Sequence, residues 1–234
     1  VETSVLPTAV LSTHTGGFTG FTYRDLTDDL LPMAEHWKQV GCRFQSLYSG
    51  FLGSAGQIGL VEQIFDWFRE ENTLVMVDPV MGDGGKLYKT YTPEMASGMA
   101  RLCGRADIVV PNMTEAHHLL EREYDPGPYT RQQIEGILKG LCALGPRMAV
   151  LTGVWLKEGS LGTACYDAAT GEAELYLTDR IEGFYHGTGD LFASALLGGL
   201  LNGMSLNAAC ETATEFTWRT IETTHEKCAD HRFG

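Results

Sequence analysis

The segment Leu74-Val75-Met76-Val77, which runs into Asp78-Pro79-Val80-Met81-Gly82-Asp83-Gly84-Gly85, decides the fold class of this chain. Four consecutive apolar residues that stop at a polar, Gly-rich turn are typical of a strand buried on both faces, at the centre of a parallel sheet. Residues 108–110 and 148–151 repeat this pattern, and segments with helical spacing separate the three strands. The alternation predicts βαβ units and therefore an α/β fold with a mostly parallel, doubly wound sheet.

Further elements are predicted on both sides of this segment. Towards the N-terminus they are a strand over residues 2–12, a helix over 26–40, a strand over 44–48 and a helix over 54–70. Towards the C-terminus they are helices that start at Thr92-Pro93-Glu94 and after Pro111, a helix over 130–144, a hairpin of 162–166 and 173–178, and a last helix over 206–224. No linker or repeat interrupts them, which predicts one domain over residues 1–234.

The composition argues against several classes of function. The net charge of −13 at pH 7 disfavours binding to nucleic acid or to anionic membranes. No apolar run is long enough to span a bilayer. The six cysteines form no C-x-x-C pair, which indicates free thiols in a reducing compartment and predicts a cytoplasmic protein. In so acidic a chain, a phosphate ligand has to be held by local backbone dipoles, a few cations and a metal.

The segment Tyr185-His186-Gly187-Thr188-Gly189-Asp190 precedes an apolar run that predicts a helix. Glycines at the start of a helix allow a bulky anion to approach the unpaired backbone N–H groups. Asp190 has a chemical reason to stand beside an anion site if it takes the proton of an attacking hydroxyl. The alternative is a Gly-rich loop in which Asp190 only caps the helix. These residues alone leave both interpretations open.

Polar residues follow most of the predicted strands, and ligands of such sheets bind outside the carboxyl ends of the strands. These residues are Asp78, Asp83, Asn112, Glu115, Thr152 and the loop 187–190, together with His14 and Thr15. We expect them to converge on one rim, where the carboxylate and amide oxygens would suit Mg²⁺ carried by a nucleotide, mostly through water. Turn chemistry for Asp78 and helix capping for Glu115 are the alternatives. His14 is a candidate for binding a heteroaromatic substrate.

Four motifs together resemble the pyridoxal/pyridoxamine kinase branch of the ribokinase-like superfamily. They are Ser12-x-His14-Thr15-Gly16, Asp78-Pro79-Val80-Met81-Gly82-Asp83, Pro111-Asn112-x-x-Glu115 and Gly187-Thr188-Gly189-Asp190, in the family's order and over nearly the whole chain. The resemblance implies a three-layer α/β/α sandwich, usually a homodimer, that transfers the γ-phosphate of ATP to the 5′-hydroxyl of a vitamin B6 vitamer. It also implies Mg²⁺ as a cofactor, with a monovalent cation as a further candidate.

The same resemblance implies individual roles. Asp190 would be the catalytic base, and Gly187, Thr188 and Gly189 would form the anion hole. The positions that match the ATP site are Asp78, Asp83, Tyr91, Val110, Asn112, Glu115 and Thr152, with Mg²⁺ held near Asp83 and Glu115 through water and ATP. The positions that match the substrate site are Leu11, His14, Thr15, Gly16, Phe51 and His186, together with Asp190.

The chain departs from the family pattern in three places. The family's first strand, which supplies a serine to the pyridine ring, has no counterpart before Val1, so a strand–helix unit is expected to be missing. The family's C-terminal end is expected to be missing as well. Phe51 stands where several relatives have tyrosine, which would make that contact purely apolar.

Other functions compete with the kinase of vitamin B6. The hydroxymethylpyrimidine kinase of thiamin synthesis is the nearest rival, but many of those enzymes carry cysteine where Asp190 stands, and the aspartate favours vitamin B6. A catalytically silent ligand-binding protein on the same fold is a rival from another class. A dinucleotide-dependent oxidoreductase is disfavoured because no G-x-G-x-x-G follows an early strand.

Overall fold

The computed structural model describes residues 2–14, 18–88 and 91–227. The strands are β1 (Ala9–Leu11), β2 (Tyr23–Asp25), β3 (Ser46–Ser49), β4 (Leu74–Val77), β5 (Gly82–Asp83), β6 (Lys86–Leu87), β7 (Ile108–Val109), β8 (Met148–Val154), β9 (Ser160–Asp167) and β10 (Glu172–Asp179). The helices are α1 (Thr27–Gln39), α2 (Ala55–Phe68), α3 (Pro93–Cys103), α4 (Met113–Leu119), α5 (Arg131–Ala143), α6 (Thr188–Leu201) and α7 (Leu206–Lys227). None of these helices is both long and apolar enough to cross a bilayer.

A six-stranded sheet in the order β10-β9-β8-β7-β4-β3 forms the middle of the molecule. Strands β3, β4, β7 and β8 are parallel, and the predicted hairpin β9–β10 continues the sheet in antiparallel fashion. Because β10 is reversed twice relative to β8, both strands end at the same edge. The predicted α/β fold with a mostly parallel, doubly wound sheet is therefore confirmed.

Helices cover both faces of the sheet, which explains why β4, β7 and the first four residues of β8 are apolar at every position. Met76, Ile108 and Met148 pack with α6 and α7, whereas their strand neighbours Val75 and Val77 pack with α2 to α5. Helix α1 packs against α2 through a separate cluster of buried side chains, Leu30 and Ala34 with Ile64 and Phe68. The three layers of the predicted sandwich thus follow from strands that bury alternate residues on opposite sides.

Short polar side chains start several helices. Ser54, Thr92 and Thr130 each accept a hydrogen bond at 3.2 Å from the backbone N–H three residues later, at the starts of α2, α3 and α5. These bonds satisfy N–H groups that have no partner within the helix. The predicted starts of these helices are confirmed to within a residue or two.

The prediction of a strand over residues 2–12 is wrong in length and in placement. Only Ala9–Leu11 is a strand, and it pairs with Tyr23–Asp25 in a separate two-stranded sheet. Pro7 has no N–H to offer to a ladder, and Val10 is 56% exposed, so this segment lacks the buried face of a central strand. The polar loop after β1 therefore reaches the site from outside the main sheet.

Candidate active site

An open pocket of about 200 Å³ lies at the carboxyl edge of the main sheet. It is lined by Asp78, Val80, Tyr88, Val110, Asn112, Glu115, Thr152, Gly187, Gly189 and Asp190. Eight of these ten residues are among the site residues singled out from the sequence. As expected, residues at or after the ends of β4, β7, β8 and β10 meet in this pocket.

Asp78 is the first residue after β4 and is only 8% exposed. Its backbone N–H donates to the carbonyl of Ser49 at 2.9 Å, which continues the β3–β4 ladder past the strand end. Burial raises the pKa of the Asp78 carboxyl, the charge of Asp190 raises it further, and a hydrogen bond from Tyr48 opposes both. Asp78 is thus a buried acid whose charged form has one side-chain donor and an acidic neighbour.

Glu115 belongs to the capping box that begins α4. The Asn112 side chain accepts from the Glu115 N–H at 3.0 Å, and Glu115 Oε2 accepts from the Asn112 N–H at 2.8 Å. Glu115 Oε1 accepts from the Met81 N–H at 3.0 Å, and Asn112 Nδ2 donates to the Gly82 carbonyl at 2.8 Å. The capping role that the sequence left open is therefore present, and the same side chains tie α4 to the β4–β5 connection.

The charge of Glu115 is poorly compensated despite these bonds. The side chain is 3% exposed, and burial followed by the charge of Asp78 raises the pKa of its carboxyl. Hydrogen bonds from the N–H groups of Asn112, Met81 and Gly82 lower that pKa but do not cancel the rise. Two buried carboxylates side by side are stabilised in their charged forms by a nearby cation.

Thr152 lies at an irregularity near the end of β8. The pairing of β8 with β9 shifts between Thr152 and Val154, and Gly153 between them has a φ of +72° that favours glycine. The Thr152 N–H donates to the Pro111 carbonyl at 3.1 Å, and Thr152 bridges to Asn112 as a parallel neighbour. This bulge brings the hydroxyl-bearing residue to the rim beside the start of α4.

Residues 187–190, the anion loop, lead into α6 as predicted. Gly187 is the N-cap, with a φ of +80°, and no side chain caps the helix. Asp190 lies in the first turn and is exposed, so the alternative in which it caps the helix is wrong. The backbone N–H groups at this end are left for a ligand, and the glycine at the cap leaves space for an anion to approach them.

Two tyrosines at the pocket were missed from the sequence. The charges of Glu115, Asp83, Asp78 and Asp190 add to burial in raising the pKa of Tyr88 to about 12. Tyr48 hydrogen-bonds Asp78, and burial, Asp78 and Asp190 raise the pKa of its phenol. Tyr48 precedes the last residue of β3, so the rule that ligands bind beyond strand ends could have found it. Tyr88 follows the β5–β6 hairpin and carried no such signal.

Three of the residues predicted for the nucleotide site and the anion hole do not line the pocket. Asp83 is exposed in β5 and accepts from the Gly84 N–H at 2.7 Å. Tyr91 packs against the apolar core, with its hydroxyl 3.4 Å from the Met95 carbonyl. Thr188 turns its hydroxyl back to the Tyr185 carbonyl, at 3.1 Å. The roles implied for these three side chains stay predictions.

The predicted substrate residues come from three separate segments. The rings of His14 and His186 stack with their centroids 4.0 Å apart, which joins the loop after β1 to the anion loop. Burial, followed by the charge of His14, lowers the pKa of His186. Phe51 is 39% exposed, and its carbonyl accepts from the Thr8 hydroxyl at 3.0 Å, one residue before β1. Leu11 ends β1, and Thr15 and Gly16 lie outside the described residues.

The pocket offers oxygen atoms to a cation and holds no basic side chain among the described residues that line it. Within the described ranges, no group of three histidine, cysteine or acidic side chains is close enough to hold a metal ion unaided. Magnesium keeps several waters and is commonly bound by one or two carboxylates together with substrate phosphates. The donor set of Asp78, Asn112 and Glu115 therefore fits Mg²⁺ that arrives with a phosphate ligand.

A larger cavity of about 450 Å³ lies between residues 180–182 and the end of α7. It is lined by Arg180, Ile181, Glu182, Glu222, His225 and Glu226. Residues 180–182 follow β10 directly, and Glu222, His225 and Glu226 lie on α7. The smaller pocket is the candidate active site, because it brings the glycine loop and the two buried acids together.

Comparison with known proteins shows which family the chain belongs to. Residues 40–232 match the sequence profile of the family described as phosphomethylpyrimidine kinase. The chain is 29% identical to a pyridoxine/pyridoxal/pyridoxamine kinase of Bordetella avium over 189 residues, which cover 77% of this chain and 60% of that enzyme. A pyridoxal kinase of Vibrio campbellii is 26% identical over 232 residues, which cover 94% of this chain and 76% of its own length.

Solved structures agree with the sequence relatives. A pyridoxal kinase from Lactobacillus plantarum superposes with a TM-score of 0.86 at 31% identity, over 97% of this chain and 80% of that one. A Bacteroides thetaiotaomicron protein assigned as a phosphomethylpyrimidine kinase was crystallised with pyridoxal. It superposes with a TM-score of 0.92 at 34% identity, over 98% of this chain and 80% of that one. The resemblance predicted from the four motifs is thereby confirmed. The chain belongs to the phosphomethylpyrimidine kinase family and has the ribokinase-like fold of the pyridoxal kinases.

Proposed function

We propose that this chain is an ATP-dependent kinase that phosphorylates the 5′-hydroxymethyl group of the vitamin B6 vitamers pyridoxal, pyridoxamine and pyridoxine. The observation that carries the proposal is the meeting of Asp190, the glycine loop 187–189 and the buried acids Asp78 and Glu115 in one pocket. Phosphoryl transfer depends mainly on positioning and on charge stabilisation, and these groups supply both. The names of the sequence relatives and the pyridoxal in the Bacteroides crystal support the substrate class.

The anion loop would act on the transferred phosphoryl group. The N–H groups at the start of α6, which no side chain caps, would donate to the phosphate oxygens at the positive end of the helix dipole. Gly187 and Gly189 leave room for this approach, since no other atom lies within 4 Å of the position that a Cβ would occupy. Asp190, in the same first turn, would accept the proton of the attacking hydroxyl.

The acids of the pocket would hold the nucleotide together with Mg²⁺. Asp78 and Glu115 would take the ion through water and ATP, with Asn112, Thr152 and the outlying Asp83 in support. Bound Mg²⁺ neutralises phosphate charge that would otherwise face these buried carboxylates. Val110 and Tyr91 complete the nucleotide side in this proposal, and a monovalent cation is compatible with it.

The substrate ring would lie between the N-terminal loop and the anion loop. The stacked rings of His14 and His186 define this boundary, and Phe51 offers an exposed aromatic face. In this proposal the 5′-hydroxyl of the ring would face Asp190, which lies four residues after His186. Leu11, Thr15 and Gly16 would complete the substrate side.

A second candidate is a hydroxymethylpyrimidine kinase, and the description of the matching family favours it. The two candidates separate in one assay of ATP consumption with pyridoxal, pyridoxamine, pyridoxine and hydroxymethylpyrimidine. We expect kcat/KM for the best B6 vitamer to exceed that for the pyrimidine at least about tenfold, since a site built for one ring's polar groups discriminates against another. Preference for the pyrimidine overturns the B6 proposal, and no turnover with any of the four favours a silent binding protein.

We also propose that the enzyme works in the cytoplasm as a homodimer. The five cysteines among the described residues are all free thiols, which is compatible with a reducing compartment. The dimer is the usual state of the family that the motifs resemble. Light scattering of the purified protein tests it, and a mass equal to one chain across the concentration range of the assay contradicts it.

A further inference from the structure

Tyr185, which stands two residues before the anion loop, is held at both its hydroxyl and its carbonyl. Its hydroxyl donates to the Glu182 carbonyl at 2.9 Å and lies 2.7 Å from Nδ1 of His225, near the end of α7. Its own carbonyl accepts from the hydroxyl of Thr188, the first residue of α6, at 3.1 Å. Tyr185 therefore connects the end of one helix to the start of the next, across the loop that forms the anion hole.

The number of protons sets the direction of these bonds. A phenol has one proton, and the Tyr185 hydroxyl uses it towards the Glu182 carbonyl. For the contact with His225 to be a hydrogen bond as well, Nδ1 of the imidazole must carry a proton and donate it to the phenol oxygen. The arrangement thus favours a His225 that is protonated at Nδ1, and it forms a chain of donors from α7 to the loop backbone.

The loop backbone wraps closely around the Tyr185 ring. Gly183 has a φ of +126°, and a Cβ added there would lie 3.0 Å from the ring of Tyr185. Gly187, on the other side of Tyr185, has a φ of +80°. Two glycines in the left-handed region make this loop intrinsically permissive, so its geometry depends on contacts made by the residues between them.

We propose that Tyr185 is a positioning residue for phosphoryl transfer, with His225 as its anchor. The pair holds the loop so that the N–H groups of residues 187–189 stay aimed at the phosphoryl group. The inference rests on the proposed function of the anion loop. Tyr185 itself does not line the pocket, so its effect passes through the backbone that it shares with Gly187 and Thr188.

This role predicts a particular kinetic pattern. Donors fixed in advance at the place where charge develops favour the transition state over the bound substrates. Loosening the loop should therefore lower kcat and leave the KM for the vitamer nearly unchanged. Replacing a side chain that only supports the fold would instead lower the melting temperature and leave kcat unchanged at temperatures below the melting transition.

The first experiment compares Tyr185→Phe with Trp218→Phe in steady-state assays with ATP and pyridoxal. Trp218 is a matched control, because its Nε1 donates at 2.8 Å from α7 to the Asp179 carbonyl, outside the anion loop. We expect Tyr185→Phe to lower kcat about five- to tenfold, the effect of losing one or two hydrogen bonds, with the KM for pyridoxal within about twofold. Trp218→Phe should keep kcat within about twofold of the parent.

The second experiment tests the anchor. His225→Ala removes the donor, whereas His225→Asn places an amide N–H where Nδ1 stood and should restore most of kcat. The double variant Tyr185→Phe/His225→Ala should be no slower than Tyr185→Phe alone. The two single variants and the double variant all lack the same hydrogen bond between Tyr185 and His225. Parental kcat in Tyr185→Phe, equal losses in Trp218→Phe, or no rescue by asparagine overturns the inference. A parent enzyme without turnover contradicts the proposed function instead.

Discussion

At the scale of single residues, Asp78 is one of two buried carboxyl groups whose surroundings disfavour the charged form. It is 8% exposed, close to the charges of Asp190 and Glu115, and bound by one side-chain donor, Tyr48. Burial and like charge both favour the neutral acid. Such strain is common at sites whose charge balance is completed by a ligand.

Asp78→Asn should change how stability depends on pH. A carboxyl whose pKa is raised in the folded state contributes stability that is complete below its ordinary pKa and is lost as the pH rises through the raised value. The parent without Mg²⁺ should therefore lose stability relative to Asp78→Asn as the pH rises from about 4, near the ordinary pKa of aspartate, to the raised pKa of about 7. Melting temperatures of both proteins across this range measure the difference.

The exposed Asp28, in the first turn of α1, offers a matched control. Asp28→Asn removes one exposed carboxylate and leaves the buried acids of the pocket in place. If Asp78→Asn behaves in the same way as this control, Asp78 is charged in the folded protein without cost, and the account of the buried acids is wrong.

Asp190→Asn should separate catalysis from structure at the anion loop. Removing a general base lowers turnover by about 10²- to 10⁴-fold. ATP affinity should be equal or higher, because a carboxylate beside the phosphates repels them. Since Asp190 makes no capping bond, only its interaction with the helix dipole is lost, about 0.3–1 kcal/mol of stability. Turnover, nucleotide affinity and melting temperature on one preparation measure all three.

The measurement that tests the role of Asp190 is the turnover of Asp190→Asn, provided that its ATP affinity is at least that of the parent. An Asp190→Asn enzyme that works at nearly the parental rate contradicts the assignment of the base, even though the fold and family are unaffected. A loss of ATP affinity without a loss of turnover would place Asp190 on the nucleotide instead.

At the scale of elements, the helices are held by local caps and by close packing between layers. Gly59 in α2 is exposed, and no other atom lies within 4 Å of the position that a Cβ would occupy. Gly98 in α3 faces α2, where a Cβ would lie 3.2 Å from Cδ1 of the fully buried Ile58. One glycine is therefore a weak point of its helix, and the other permits two helices to approach.

Gly59→Ala should stabilise the protein by about 0.5–1 kcal/mol, because alanine loses less backbone entropy in a helix and meets no obstacle. Gly98→Ala gains the same entropy but forces Ile58 to move in a close-packed core, so it should be less stable than Gly59→Ala. Chemical denaturation of the two variants and the parent gives the order. Equal stabilisation by both substitutions would show that α2 and α3 are not in close contact at Gly98.

At the scale of the whole molecule, charge is the dominant feature. The chain carries a net charge of −13, and its pocket adds Asp78, Glu115 and Asp190 with no basic residue among the described lining. ATP alone would bring further negative charge to this edge of the sheet. Mg²⁺ and ATP are therefore expected to bind far better together than separately.

Mg²⁺ with ATP should raise the melting temperature more than the sum of the two separate shifts. A ligand at about a hundred times its Kd adds about 2.7 kcal/mol, and about 1 kcal/mol moves Tm by 2–4 °C in a chain of this size, so a rise of about 5–10 °C is expected. ATP with a chelator and Mg²⁺ without nucleotide are the controls. An equal shift with ATP and chelator would mean that the acids hold no metal.

Local sequence patterns were sufficient to predict most helices and strands and most residues of the candidate site. The buried strand Leu74–Val77, the cap at Thr92 and the glycine turn at Gly187 were predicted because neighbours in sequence determine them. The rule that parallel strands end at one edge then brought Asp78, Asn112, Thr152 and Asp190 together without any knowledge of distances.

The sequence by itself thus determined the fold class, and it predicted the glycine-rich start of α6 and the carboxyl edge of the sheet as the candidate site. Only the tertiary structure decided that β1 leaves the main sheet, that Tyr48 bonds Asp78, and that Tyr185 bonds His225, 40 residues away. The physical reason is the range of the interactions. Hydrophobic period, capping and turn geometry act over a few residues, whereas a contact between distant side chains depends on how whole layers pack, which no local pattern encodes.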